Sequence, residues 1–132
     1  MIATTESLRQ KLVPINDEIS AAIPLNFDSY QAGLVLFQPR REKVDKWITH
    51  NDAEVVSYVL EGHGRLRLPE ENHRVAPGMI CHIPVNTSHD FVAEGEEPLL
   101  MFYVTVKVGS HHQDAEEVEP LETSRHQEAE RA

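Results

Sequence analysis

Histidine is the residue type in this sequence that offers the widest range of chemistry. The chain has eight histidines, and an imidazole near neutral pH can give or accept a proton or bind a transition metal. Three of them lie in an acidic stretch at the end of the chain, and we interpret them as solvated: His111, His112 and His126. His63 lies between two glycines, and we expect it to be exposed. Whether the others share a site depends on the elements that carry them.

Three further side chains could contact a ligand. Trp47 is the only tryptophan, and it either stacks on an aromatic ligand or packs between sheets. Arg65 and Arg67 alternate with leucines. They either clamp a carboxylate or phosphate or form a solvated face.

Short runs of β-branched and aromatic residues, separated by Gly, Pro and Asn, fill the chain from Tyr30 onward. They predict eight strands: Gly33–Phe37, Lys46–Thr49, Val55–Leu60, Gly64–Leu68, His73–Val75, Met79–Ile83, His89–Ala93 and Leu99–Val108. Short, evenly spaced strands without a long helix between them are typical of a closed barrel or a double-sheet jelly roll. We therefore predict an all-β fold.

The ends of the chain differ from this pattern. Thr4–Leu12 predicts a helix capped by Thr4 or Thr5, and Asn16–Ala22 predicts a second short helix. Residues 109–132 hold seven acids and two arginines, and half of the chain's net charge of −10. Such a segment buries too little apolar surface to order itself. We expect an N-terminal arm over residues 1–29, a barrel over 30–108 and a disordered acidic tail over 109–132.

Composition and charge exclude several classes of protein. The net charge of −10 would repel a phosphate backbone, so nucleic acid is not an expected partner. No run of about 18 apolar residues is present, so we expect no membrane span. One cysteine, Cys81, allows no internal disulfide. With no apolar run resembling a secretory signal near the start, the sequence favours a cytoplasmic protein.

Two stretches resemble the motifs of the cupin superfamily. The first, His50-Asn51-Asp52-Ala53-Glu54-Val55-Val56-Ser57-Tyr58-Val59-Leu60-Glu61-Gly62, is similar to the first cupin motif. The second, Gly78, five residues, then Pro84-Val85-Asn86-Thr87-Ser88-His89, is similar to the second motif. This resemblance implies a double-stranded β-helix, the jelly-roll cupin barrel, over about residues 34–106.

The resemblance implies a site that is only partly kept. Anchored on Gly62, two of the family's histidines fall on His50 and His89, but the other two ligand positions hold Ile48 and Val55. Glu54 is one residue away, on the opposite face of a strand. Asn86 replaces the second-motif glycine, and asparagine tolerates the left-handed turn that glycine would supply. A site of three histidines and one glutamate therefore cannot be carried over.

His50 and His89 are the predicted catalytic residues, and they would also be ligands if a metal binds. His82 either points into the barrel and completes a three-histidine face with them, or is a hydrogen-bonded histidine on a half-buried strand. Asp52 either replaces a missing ligand or forms a turn. The cofactor is thus one divalent transition metal (Fe, Mn, Zn or Ni) or none.

Strand alternation suggests which other side chains line the cavity. We expect the inward set to come from Tyr58, Leu60, Ile80, His82, Phe91, Phe102 and Val104. The predicted substrate-binding residues are Trp47, Ile48, Val55, Tyr58, His82 and Phe102.

Three functions remain open. The chain is a metal-dependent cupin enzyme with a reduced ligand set, acting as an oxygenase, isomerase, cyclase or lyase on a small organic molecule. Alternatively, it is a metal-free enzyme in which His50 and His89 act as general acid and base. The third possibility is a ligand-binding or sensing cupin without turnover. We also expect a homodimer in which the arm, Ile2 to Leu25, covers an exposed edge strand.

Overall fold

The structure is a computed structural model that describes residues 1–41 and 44–108. The predicted acidic tail, residues 109–132, lies outside the described residues. Within them, no helix has the length and apolar character that a membrane-spanning helix requires. Apart from residues 42 and 43, the barrel predicted for residues 30–108 falls within the described part of the chain.

The described chain forms one short helix and nine strands. The helix, α1, is Thr5–Arg9. The strands are β1 Val13–Pro14, β2 Ile19–Asn26, β3 Tyr30–Phe37, β4 Ala53–Glu61, β5 Gly64–Leu68, β6 Glu71–Val75, β7 Ile80–Ile83, β8 Asp90–Ala93 and β9 Leu99–Lys107.

The strands form two antiparallel sheets that face each other. The larger sheet has six strands in the order β1-β2-β3-β9-β4-β7, and the smaller has three in the order β6-β5-β8. Their inner faces share a core that includes Val59, Leu66, Ile83, Leu99 and Met101. This arrangement is the all-β jelly roll predicted from the sequence.

The N-terminal arm confirms one helix prediction and shows the other to be wrong. Thr4 caps α1, since its hydroxyl accepts a hydrogen bond from the backbone of Ser7. The predicted helix Asn16–Ala22 is instead part of a β1–β2 hairpin. The Asn16 side chain accepts hydrogen bonds from the backbone N–H groups of Glu18 and Ile19, at 2.8 Å each, and so stabilises a turn.

β2 extends the larger sheet by pairing with β3 of its own chain. Pro24 is tolerated in this strand because the pairing register shifts between Ala22 and Leu25, where a ladder hydrogen bond is not needed. The arm therefore covers the β3 edge within one chain.

The predicted strand Lys46–Thr49 is reduced to a single bridge. Ile48 and His89 exchange two backbone hydrogen bonds, each 2.9 Å long, and no longer ladder forms there. This bridge connects the segment before β4 to the start of β8.

Two turn residues adopt the left-handed conformation that the motifs require. Gly62 has φ of +89°, and a Cβ there would lie 2.2 Å from the carbonyl oxygen of Pro98, so a larger residue cannot fit. Asn86 has φ of 61°, as expected from its position in place of the motif glycine. Its backbone N–H donates to the carbonyl of His50 at 2.7 Å, which links the second motif to the first.

Candidate active site

A cavity of about 650 Å³ is lined by residues of both sheets. Its walls are mainly apolar and include Ile48, Val55, Phe91 and Met101. About half of the lining residues are nevertheless polar or charged, and His50 and His89 are among them. A mainly apolar cavity with placed polar groups is the usual form of a small-molecule site.

His89 is held on the cavity wall by both its backbone and its ring. Its backbone is fixed by the bridge to Ile48, and its ring nitrogen Nδ1 lies 3.0 Å from the carbonyl oxygen of Thr87. A carbonyl only accepts, so Nδ1 must carry the proton and donate. In the neutral ring Nε2 is then a free acceptor. The edge of the ring also packs on Phe91, with centroids 6.2 Å apart.

Burial determines the charge state of His89. The residue is 5% exposed, and removal of the imidazole from water lowers its pKa below the ordinary value. The hydrogen bond to Thr87 and the carboxylate of Asp90 oppose this shift, while His50 adds to it. His89 is therefore a neutral imidazole at physiological pH, the form that can accept a proton.

His50 lies beside His89 on the cavity wall. The ring centroids are 5.6 Å apart and the ring planes are inclined by 34°. His50 is partly exposed, and the turn at Asn86 holds its backbone in place. The pair therefore combines a buried neutral imidazole with a more accessible one.

The residues present do not fit a transition-metal centre. Ile48 and Val55, at the positions where the motif has a histidine and a glutamate, both line the cavity with apolar side chains. Among residues 1–41 and 44–108, no three His, Cys, Asp or Glu side chains are grouped so that they could hold a metal ion. Asp52 lines the cavity and pairs with Lys107 at 3.5 Å. Two imidazoles alone leave too few donors for a typical metal site.

His82 does not join the other two histidines, so of its two alternatives the three-histidine face is wrong and the hydrogen-bonded histidine on a strand is what the structure has. Its ring nitrogen Nε2 contacts the Glu54 carboxylate at 2.7 Å on the outward face of the larger sheet. On β7, Cys81 and Ile83 are the buried residues, and His82 between them must point outward.

Most of the side chains that were predicted to face the cavity also point outward or lie away from it. On β4 the buried residues are Ala53, Val55, Ser57 and Val59, so Tyr58 points outward and is 41% exposed. Of the predicted inward residues only Phe91 lines the cavity, and six do not: Tyr58, Leu60, Ile80, His82, Phe102 and Val104. Of the predicted substrate-binding residues, Ile48 and Val55 line the cavity.

The remaining candidates have other contacts. Trp47 lies outside the cavity and is covered by the guanidinium of Arg67, 5.0 Å from the ring centroid. Arg67 also pairs with Asp45 and Asp90, and Arg65 pairs with Glu94. Neither arginine is available to clamp a ligand anion inside the cavity.

The sequence interpretation missed the hydroxyl groups of the cavity, among them those of Ser57 and Tyr103. Both line the cavity from the larger sheet, and they are direct partners in the pairing of β4 with β9. The motif alignment contained the signal that finds them. If position 55 points inward, as a ligand position must, then position 57 does too.

A buried ion-pair network stabilises the cavity wall next to His89. Arg40 binds both oxygens of Asp90, at 2.8 and 2.9 Å, and both oxygens of Glu18, at 2.9 and 3.0 Å. It also donates to the carbonyl of Val44 at 2.9 Å. Arg40 thus connects the arm, the segment before Ile48 and the start of β8.

The outward face of β4, β7 and β9 carries a separate patch of exposed apolar side chains. Its members are Val56, Tyr58, Ile80 and Phe102, and Ile80 is 70% exposed. The Glu54–His82 pair lies on the same face. We call these four apolar residues the outward patch.

Comparison with known proteins gives a family match. The model of the cupin domain matches residues 33–106. No curated protein matches the chain.

Solved structures share the fold at low identity. A predicted oxalate decarboxylase from Thermotoga maritima superposes with a TM-score of 0.69 at 14% identity, covering 82% of this chain and 100% of that one. Ectoine synthase from P. lautus has a TM-score of 0.66 at 14% identity, covering 92% of both chains. KdgF from Halomonas sp. has a TM-score of 0.61 at 22% identity, covering 74% and 86%. At these identities the similarity shows the fold and selects no reaction.

Proposed function

The chain belongs to the cupin family, and from this membership and the two-histidine cavity we propose that it is an enzyme that transfers protons on a small organic molecule without a metal. The substrate class is a carbonyl compound with an acidic C–H bond next to the carbonyl. The reaction class is isomerisation by enolisation.

The environment of His89 is the observation that carries this proposal. Its burial favours the neutral ring, its Nδ1 proton is fixed on Thr87, and its Nε2 is left to accept a proton. A base whose pKa lies near or just below the working pH is the kind that general-base catalysis needs.

The step can be written for the two histidines alone. His89 Nε2 takes the proton from the carbon next to the carbonyl, and the electrons of that C–H bond move to the carbonyl oxygen. His50 donates a proton to this oxygen, which gives the enol. Where the other carbon of this enol also carries a hydroxyl, His89 returns its proton to the former carbonyl carbon and the second hydroxyl gives its proton to His50. This moves the carbonyl by one carbon and restores the starting protonation of both histidines.

The apolar residues at two of the motif's ligand positions support a reaction without a metal. Ile48 and Val55 cannot coordinate an ion, and His82 is held by Glu54 on the other side of β4. A reaction assigned to this site must therefore rest on the two imidazoles and on hydrogen bonds from the wall.

Exchange of carbon-bound hydrogen for deuterium tests the proposal directly. Phenylacetone in D₂O loses its benzylic proton NMR signal when a base enolises it. We expect the protein to accelerate this loss. His89→Gln should reduce the acceleration by about 100-fold or more, and His50→Gln by a smaller factor.

The exposed His63 offers the matched control, and His63→Gln should exchange at the wild-type rate. If phenylacetone binds in the cavity and the wild type gives no acceleration, the protein binds ligands without this turnover and the proposed function is wrong.

A further inference from the structure

Ser57 is a buried hydroxyl without a partner. It is 1% exposed, lies in the middle of β4 and lines the cavity. Among the described residues, its Oγ has no hydrogen-bond partner. Burying a hydroxyl without a hydrogen bond costs free energy, so native structures rarely keep one unless something outside the chain satisfies it.

The thiol of Cys81, on the neighbouring strand, does not supply the missing hydrogen bond of Ser57. Cys81 is the direct partner of Ser57 in the β4–β7 pairing. Burial raises the pKa of its thiol, and the Ser57 hydroxyl offsets this only in part. No hydrogen bond of ordinary geometry joins the two groups, and a thiol is in any case a weak donor.

Tyr103 brings a second hydroxyl to the same part of the wall. It pairs with Ser57 across β4 and β9, where facing side chains are direct neighbours. Burial raises its pKa above the ordinary value of 10.0, so it stays a neutral phenol that can donate a hydrogen bond. We call Ser57 and Tyr103 the hydroxyl pair.

The hydroxyl pair and His89 belong to different sheets. Ser57 and Tyr103 are in the six-stranded sheet, whereas His89 leads into β8 of the three-stranded sheet. His50 precedes β4 and lies beside His89. The cavity lining also includes the apolar side chains of Phe37, Phe91 and Met101.

The arginine and lysine side chains of the lining are already paired. Arg40 is held by Glu18 and Asp90. Lys46 pairs with Asp17 and Glu18 at 3.2 Å each, and Lys107 pairs with Asp52. No unpaired cation is therefore offered to an anionic ligand by these three side chains.

We propose that Ser57 and Tyr103 are a ligand anchor on the sheet that faces His89, and that the ligand is an uncharged molecule with an apolar ring or chain between two polar ends. One end is the carbonyl group that meets His50 and His89, and the other is a hydroxyl that meets Ser57 and Tyr103. This inference rests on the proposed function, because it describes the substrate of the same cavity.

Two probes that differ by one hydroxyl test the anchor by binding alone. The dissociation constants of 4-hydroxyphenylacetone and phenylacetone are measured by NMR titration of the wild-type protein. We expect the hydroxyl to tighten binding about fivefold, the size of one additional hydrogen bond. In the Ser57→Ala/Tyr103→Phe double variant, the two probes should bind equally.

Matched controls separate the anchor from general effects of substitution. Ser20→Ala changes a strand serine that does not line the cavity, and Tyr58→Phe changes an outward tyrosine. Both should keep the fivefold preference. Because this readout needs no turnover, it can succeed even if the deuterium exchange of the proposed function fails.

Thermal unfolding of Ser57→Ala gives a result that depends on no ligand. Removing a hydroxyl that has no partner should leave the melting temperature unchanged or raise it. The proposal is overturned by a fall of more than about 4 °C, which would show a hydrogen bond in the folded core. It is also overturned if the wild type binds both probes equally, or if the double variant keeps the preference.

Discussion

The imidazole rings of His50 and His89 lie with their centroids 5.6 Å apart, and only His89 is buried. At this distance, a proton on one ring disfavours a proton on the other. His50 accordingly contributes to the lowered pKa of His89.

The protonation of His89 can be measured by ¹⁵N NMR of the imidazole rings across a pH titration. We expect its midpoint to lie below the ordinary value of 6.5 and its neutral form to carry the proton on Nδ1. His50→Ala should raise the midpoint, because it removes the neighbouring charge. A midpoint at or above 6.5 in the wild type would contradict the neutral base.

The same shift sets the sign of a pH effect on stability. As the pH falls from the ordinary value of 6.5 to the lower pKa of folded His89, the unfolded chain takes up the proton first. The free energy of unfolding therefore decreases over this interval. Urea unfolding at about pH 7.5 and about pH 5.5 should show a smaller decrease for His89→Gln than for the wild type. Equal decreases would contradict the shift.

The sequence predicted the strands more accurately than the faces of the strands. Gly62, Asn86 and the histidine of each motif lie where the resemblance placed them, because turns that need a left-handed residue leave a local signal. The sequence contains no comparable signal for which face of β4 points into the cavity. Val56 and Tyr58 on one face are as apolar as Val55 and Val59 on the other, so alternation alone cannot tell the cavity from the outward patch.

The arm shows a second limit of sequence interpretation. Ile19–Asn26 becomes a strand because it pairs with β3, and this pairing outweighs the local preference of its residues for a helix. The Arg40 network was missed for a similar reason. Its members, Glu18, Arg40 and Asp90, are far apart in sequence, and only the fold brings them together.

Removal of Arg40 should destabilise the barrel strongly. Arg40→Met leaves the carboxylates of Glu18 and Asp90 buried without their main partner, which typically costs about 3–5 kcal/mol. Arg9→Met removes an arginine of the exposed pair with Glu61 and should cost about 1 kcal/mol or less. Urea unfolding of the two variants measures the difference, and equal costs would show that the network is not a structural support.

Two substitutions should create a metal site where the wild type lacks one. Ile48→His with Val55→Glu places a histidine and a glutamate at the two cavity positions that the motif assigns to ligands. Together with His50 and His89 they give four donors, enough for a divalent transition metal. Calorimetry with Mn²⁺ should detect binding to the double variant at least about 100-fold tighter than to the wild type. Equally tight binding by the wild type would mean that a third ligand is present after all.

The outward patch supports the proposal that the protein is a homodimer. Copies that each carry a net charge of −10 repel one another, but on this face the charged Glu54 is paired with His82. The four residues of the outward patch are uncharged, so two copies of it can meet across a two-fold interface. Light scattering should give a dimer for the wild type and a monomer for Ile80→Glu/Phe102→Glu, with Val13→Glu, an exposed β1 residue, as the control. A wild-type monomer at high concentration would contradict this.

Metal independence of proton transfer is the central claim, and one measurement tests it most directly. The wild-type protein is treated with EDTA, its metal content is determined by elemental analysis, and its deuterium exchange of phenylacetone is followed before and after treatment. We predict the same rate in both samples, with no increase when Fe²⁺, Mn²⁺, Zn²⁺ or Ni²⁺ is added back. Loss of exchange on chelation, with recovery on addition of one of these metals, would contradict the claim.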